Sequence, residues 1–122
     1  MLLNNSPYLN KVKRVNTQTA VTTVAVNSDT YDVVYATVTA AAGTLTVSAD
    51  TGVGQIEGRT LLLKINCTNQ QTFSWTTGAG GFYGGVIPLP STTTGSSKTD
   101  FYSFYWDSVT SHWLMTGQSV GF

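Results

Sequence analysis

Gly43-Thr44-Leu45-Thr46-Val47-Ser48-Ala49-Asp50 decides the fold class. Leu45, Val47 and Ala49 fall on one side of an extended chain and Thr44, Thr46 and Ser48 on the other, which is the period of a strand with one face in a core. The same rhythm runs outward in both directions. Upstream, Tyr31, Val33, Tyr35 and Thr37 alternate with Asp32, Val34, Ala36 and Val38, and Asn27-Ser28-Asp29 makes a turn from a β-branched, Ala-rich run over Thr19 to Val26. Downstream, Leu61, Leu63 and Ile65 oppose Leu62, Lys64 and Asn66, and Thr68-Asn69-Gln70 leads to Gln71–Trp75 in what reads as a hairpin. A long loop over 77–98 holds six Gly and two Pro, with Val86 to Leu89 as a candidate short strand. A closing hairpin joins Thr99–Trp106 to Trp113–Thr116 through Asp107–Ser111.

No stretch carries a helical period, so the sequence predicts an all-β domain: an antiparallel β-sandwich, jelly-roll-like, over residues 19–122. Residues 1–18, with Pro7, four Asn and three basic residues, read as an extended N-terminal arm. At 122 residues the chain is long enough for one hydrophobic core without disulfides or metals. The single Cys67 cannot form an internal disulfide, and no Cys/His set has the spacing of a zinc site. Met1-Leu2-Leu3 gives way at once to Asn4, Asn5 and Ser6, too short an apolar run for a signal peptide or a membrane span, which predicts synthesis in the cytoplasm and no membrane partner.

Charge is sparse and unevenly placed. Charged residues are 10% of the chain and the net charge is zero, which argues against nucleic acid and for a surface that is packed against neighbours. Residues 1–28 carry +3, from Lys11, Lys13 and Arg14, and residues 29–122 carry −3.

Sites of chemistry are hard to assemble from these residues. His112 stands beside Trp113 with no Ser and Asp arranged as a triad, and reads as an exposed hairpin histidine. Asp29 and Asp32 have the spacing of a turn leading into a strand. Gly52-Val53-Gly54-Gln55-Ile56-Glu57-Gly58 has one residue too many for a dinucleotide fingerprint and opens a strand instead of a helix. The glycines at 78–85 lack the Lys-Ser/Thr ending of a phosphate loop, and Asn4-Asn5-Ser6 and Asn66-Cys67-Thr68 are glycosylation patterns without a secretory signal. With no convergent polar cluster in view, the expectation is no catalytic residue, no cofactor, no metal and no specific sugar binding.

Aromatics crowd the second half. Alternation places Phe101 and Tyr105 on one face of their strand and Tyr102, Phe104 and Trp106 on the other. A strand aromatic on both faces is either central in the core or covered on its second side by a partner subunit; these five residues are the expected oligomer interface.

From Thr44 to Gly117 the order of segments resembles a jelly-roll-like domain of tailed-bacteriophage tail-fibre, baseplate and capsid-decoration proteins. The resemblance is carried by Glu57-Gly58-Arg59 before Thr60–Ile65, by Thr72-Phe73-Ser74-Trp75, by Phe82-Tyr83-Gly84-Gly85, by Pro88-Leu89-Pro90 with Ser91–Thr94, and by Asp100–Phe104 with Asp107 and Trp113. It implies a non-enzymatic virion protein, commonly a homotrimer. An arm of 18 residues spans at most about 60 Å, too short for a fibre stalk, so a capsid decoration (cement) protein on the virion surface is expected, with a tail-fibre or baseplate adhesion module that binds a host glycan as the alternative. Lys11, Lys13 and Arg14 are then the expected contact with the major capsid protein.

Overall fold

The structure, a computed structural model, describes residues 13–122. Within them the chain forms strands and no helix: β1 (Val15–Gln18), β2 (Thr23–Val26), β3 (Val33–Val38), β4 (Thr44–Asp50), β5 (Thr60–Cys67), β6 (Thr72–Trp75), β7 (Phe82–Tyr83), β8 (Lys98–Asp107) and β9 (His112–Ser119). They build a six-stranded sheet in the order β1-β3-β5-β8-β9-β7 and a three-stranded sheet in the order β2-β4-β6.

The first six strands alternate between the two sheets. Each therefore returns to its own sheet after one passage through the other, and re-enters it in the same direction. Parallel pairing follows for β1 with β3, β3 with β5, β2 with β4 and β4 with β6. Only β8 runs antiparallel, between β5 and β9, while β7 adds parallel to β9.

Several expectations are corrected by this path. The sheets are mixed and mostly parallel, where an antiparallel sandwich of jelly-roll type was expected. Thr68-Asn69-Gln70 is a crossing between sheets and not a hairpin turn, because β5 and β6 belong to different sheets. Val86–Leu89 is irregular, and the short strand lies at Phe82–Tyr83. Val15–Gln18, assigned to the arm, is the outer strand of the larger sheet; the rest of the arm up to residue 12 lies outside the described residues. The closing hairpin stands where the alternation placed it.

One core lies between the sheets. Val34, Leu63, Tyr102 and Leu61, Phe104, Met115 form rows on the inner face of the larger sheet, and Val24, Val26, Leu45, Val47 and Phe73 face them from the smaller one. Aromatic rings meet across the gap, Phe73 with Tyr102 at 5.6 Å and Trp75 with Phe104 at 5.9 Å between centroids. Each such side chain, fully buried, contributes about 1.5–3 kcal/mol.

Edges are closed by local devices, as an exposed strand edge invites pairing with another chain. On β2 the Gln18 side chain accepts from the Ala25 N–H at 3.0 Å and donates to the Ala25 carbonyl at 2.8 Å, standing in for a neighbouring strand. On β6 the Ser91–Thr93 segment takes the place of a further strand, bonding Phe73 and Gln71 through the backbone.

Two carboxylates tie the turns together. Asp50, 9% exposed at the end of β4, accepts hydrogen bonds from the Ser28 N–H (2.9 Å) and hydroxyl (2.5 Å), the Gly52 N–H (2.8 Å), Gln55 Nε2 (2.9 Å) and Trp113 Nε1 (3.2 Å). Burial raises its pKa, but the bonds from Ser28, Gln55 and Gly52 outweigh burial and hold it below the ordinary value. Asp32 is gripped by Arg14 through Nη2 at 2.8 Å and Nε at 3.1 Å, with Arg59 Nη2 at 3.6 Å. The Arg14 bond, more than the attendant desolvation, depresses the Asp32 pKa strongly.

Both carboxyls thus titrate below about 3.8 in the folded chain. Their contribution is complete above the ordinary carboxyl value and is lost as pH falls from it through the depressed folded values, so urea-unfolding free energy is expected to hold steady from neutral pH to about 5 and to decline below about 4. Asp50→Ala leaves the buried donors of Ser28, Gly52 and Trp113 without this partner and is expected to cost about 3 kcal/mol or more. A loss below about 1 kcal/mol in urea titration would show that the Asp50 cluster is incidental.

Candidate functional site

Alternation along β8 sorts its aromatics into two groups with different fates. Tyr102, Phe104 and Trp106 are 0%, 1% and 6% exposed and belong to the core. They are unavailable to a partner chain, which corrects their place in the expected oligomer interface. Phe101 and Tyr105 point to the outer face of the larger sheet, where Phe101 is half-buried and Tyr105 is exposed.

Register extends that face across the sheet. One row reads Val15, Val33, Leu62, Ser103, Gly117, and the next reads Thr17, Tyr35, Lys64, Phe101, Ser119. Lys64 is the charged residue of the two rows, and its ammonium lies 4.6 Å from the Tyr35 ring centroid and 5.6 Å from that of Phe101. Its aliphatic stem thus covers apolar surface while the charge rests on aromatic faces. Phe122 packs edge-on against Phe101 at 5.5 Å. Beside these, Tyr83, Leu114 and Tyr105 form a third row. Tyr105 donates to Glu57 at 2.6 Å, a bond that raises the Tyr105 pKa and lowers that of Glu57.

His112 is not the exposed histidine that the hairpin position implied. It is buried beneath Tyr83, with ring centroids 3.8 Å apart, and its nitrogens lie 2.5 Å from the Thr110 carbonyl oxygen and 2.8 Å from that of Thr77. The ring fastens the loop before β7 to the last turn. Asp29 is likewise occupied, accepting from the Val53 and Gly54 N–H groups, which lower its pKa. Among the described residues no group of His, Cys, Asp and Glu has the geometry of a metal site. Cys67 is buried in the core, and burial raises its pKa.

Of the expected capsid contacts, Lys11 lies outside the described residues. Arg14 spends its guanidinium on Asp32, on the Asp29 carbonyl at 2.7 Å and on the Ser28 carbonyl at 3.1 Å, so it secures the β2–β3 turn to the start of β1. The side chain is exposed, yet its donors are engaged within the chain. Lys13 is exposed and makes one bond, to the Thr60 hydroxyl at 3.3 Å.

The structure also gathers polar groups that the sequence keeps far apart. A cavity of about 370 Å³ opens between one end of the larger sheet and the Pro90–Thr94 segment. Gln70, Thr92, Thr94 and Gln118 line it, with Pro90 and Val120 as apolar surfaces and the buried Tyr102 behind them. Its parts come from the β5–β6 crossing, the long loop and the end of β9, and no local motif announces them. No known protein family, curated protein or solved structure matches the chain.

The two basic residues separate experimentally. Arg14→Ala is expected to lower the urea midpoint, because it strips hydrogen bonds from Asp32 and two carbonyls. Lys13→Ala is expected to leave it nearly unchanged. Equal effects in urea titrations would contradict the structural role given to Arg14.

Proposed function

We propose that the chain is a non-enzymatic structural protein that works by association with copies of itself and with a larger assembly. The observation that carries this reading is the outer face of the six-stranded sheet, where Val15, Val33, Tyr35, Leu62 and Phe101 lie in adjoining rows with a single lysine. Contiguous apolar surface of this kind mark sites of protein contact. A chain that is 10% charged has little to hold copies apart once such faces meet. A second copy supplies the same apolar and aromatic chemistry and is the occupant proposed.

The order of segments over Thr44–Gly117, which resembles that of tailed-bacteriophage virion domains although the sheets are not those of a jelly roll, suggests the setting: a capsid decoration protein, acting as a homotrimer on the major capsid protein. Sequence order supports that setting, whereas the outer face supports self-association independently of it. With Arg14 used internally, Lys11 and Lys13 remain as the basic residues proposed to meet an acidic capsid surface.

Light scattering tests the self-association. Native protein at tens of micromolar is expected to show an oligomer mass, and Leu62→Glu with Phe101→Glu to show a monomer with unchanged far-UV circular dichroism. A monomeric native protein would overturn the reading. Deletion of residues 1–12, which leaves β1 intact, is expected to preserve folding and oligomer mass while weakening rebinding to particles stripped of the protein. Undiminished, salt-insensitive rebinding would place the contact on the β body.

A further inference from the structure

We infer that the outer edge of β1 is a strand-pairing site for the same edge of a second copy. The surface differs from the outer face, but the inference rests for its strength on the self-association proposed there. β1 is the last strand of the six-stranded sheet on its side, and β3 is its neighbour within the chain. Its hydrogen-bonding phase is set by the Arg14 carbonyl, which accepts from the Val33 N–H at 3.0 Å. Backbone groups alternate sides along a strand, so Asn16 and Gln18 turn theirs to β3 while Val15 and Thr17 turn theirs outward. Val15 and Thr17 are exposed, and among the described residues nothing bonds to their outward N–H and C=O groups.

Other edges of the fold are treated differently. The Gln18 side chain occupies the Ala25 N–H and carbonyl on β2, Ser91–Thr93 occupies β6, and β7 is two residues long. β1 contains no proline, no bulge and no charged side chain, which are the devices that keep an exposed edge from pairing. An edge left open in this way is a template for an added strand.

The edge is complementary to itself. A two-fold axis perpendicular to the sheet pairs β1 with β1 antiparallel and keeps both outer faces on one side. Centred on Asn16, that register sets Val15 of each copy opposite Thr17 of the other, and the two residues exchange both backbone bonds. Every outward N–H and C=O of Val15 and Thr17 then has a partner. Asn16 meets its own copy at the axis, so no like charges are opposed. On the outer face the row Leu62, Val33, Val15 of one copy runs on into Thr17 and Tyr35 of the other, which makes the apolar surface continuous across the axis. A two-fold along the strands would instead put the smaller sheet of one copy on the outer side of the other and break that continuity.

A pairing four residues long is short, and one such contact holds little by itself. Copies already joined through their outer faces present several edges at once, which multiplies the attachment. The edge therefore couples face-built oligomers to one another.

Light scattering and disulfide trapping test the inference. Thr17→Pro removes an outward N–H and leaves the β3 side untouched, a change that an edge strand tolerates. At tens of micromolar the native chain is expected to show about twice the mass of Thr17→Pro, with unchanged far-UV circular dichroism. Thr17→Val, which keeps the N–H, is expected to keep the native mass. At the axis the two Asn16 Cα atoms would stand about 4.5 Å apart, within the span of a disulfide. Asn16→Cys is therefore expected to give a covalent pair under mild oxidation, and to lose it when Thr17→Pro is added; the native chain, whose Cys67 is buried, is expected to give none. Equal oligomer masses for the native chain and Thr17→Pro, or absence of the Asn16→Cys cross-link, would overturn the edge pairing and leave the outer-face reading standing. A monomeric native chain that still cross-links through Asn16→Cys, in a manner abolished by Thr17→Pro, would uphold the edge and overturn the face.

Discussion

A single buried carboxylate sets the order of this fold. Asp50 stands at the end of β4, yet its oxygens gather the turn before β3 through Ser28, the loop before β5 through Gly52 and Gln55, and the closing hairpin through Trp113. The N–H of the same residue donates to the Gly80 carbonyl at 2.8 Å, which draws in the segment leading to β7. A charge in that position is tolerable only when every lone pair is engaged, and here five donors converge on it. Trp113, 0% exposed and 63 positions away in sequence, can bury its indole N–H only because that carboxylate is there. The parallel coil of β1–β6 and the antiparallel hairpin β8–β9 are thereby joined by polar bonds as well as by packing.

From that junction the two faces of the larger sheet acquire separate tasks. The inner face supplies Leu63, Tyr102, Phe104 and Trp113 to the core, and nothing on it is left for a partner except where the sheet runs out at Gln118. Among the described residues, no second layer covers the outer face. Its apolar side chains shield one another: Lys64 lies over Tyr35, and Phe122 stands against Phe101. Arg14, by contrast, belongs to the interior wiring of the β2–β3 turn although it is exposed, because its donors are committed to Asp32 and two carbonyls.

Strand existence was legible in the sequence because period-2 alternation is a property of each segment by itself. Leu45 and Val47, or Leu61, Leu63 and Ile65, declare a face wherever the strand is placed. Direction of pairing is not local, and it was missed. Val15 pairs with Val33, 18 positions on, and Val33 pairs with Leu62, 29 positions on, so successive turns of the coil differ too much in length to register as a repeat. Without that cue, Thr68-Asn69-Gln70 reads as a hairpin turn because its residues suit any tight reversal. The split of Phe101 and Tyr105 from Tyr102, Phe104 and Trp106 was correct as alternation, but which side is the core depends on the second sheet. The polar cavity was invisible for the same reason, as Gln70 and Gln118 are 48 positions apart and meet only through β5–β8–β9.

The central claim is that the outer face of the six-stranded sheet meets a second copy of the chain. Hydroxyl-radical footprinting over a dilution series measures this at the residues concerned. Oxidation of Tyr35, Leu62, Phe101 and Tyr105 is predicted to fall as protein concentration rises, while exposed residues elsewhere, such as Val53, Val86 and Val109, keep constant rates. Oxidation of the four sheet residues that is the same at every concentration would contradict the account.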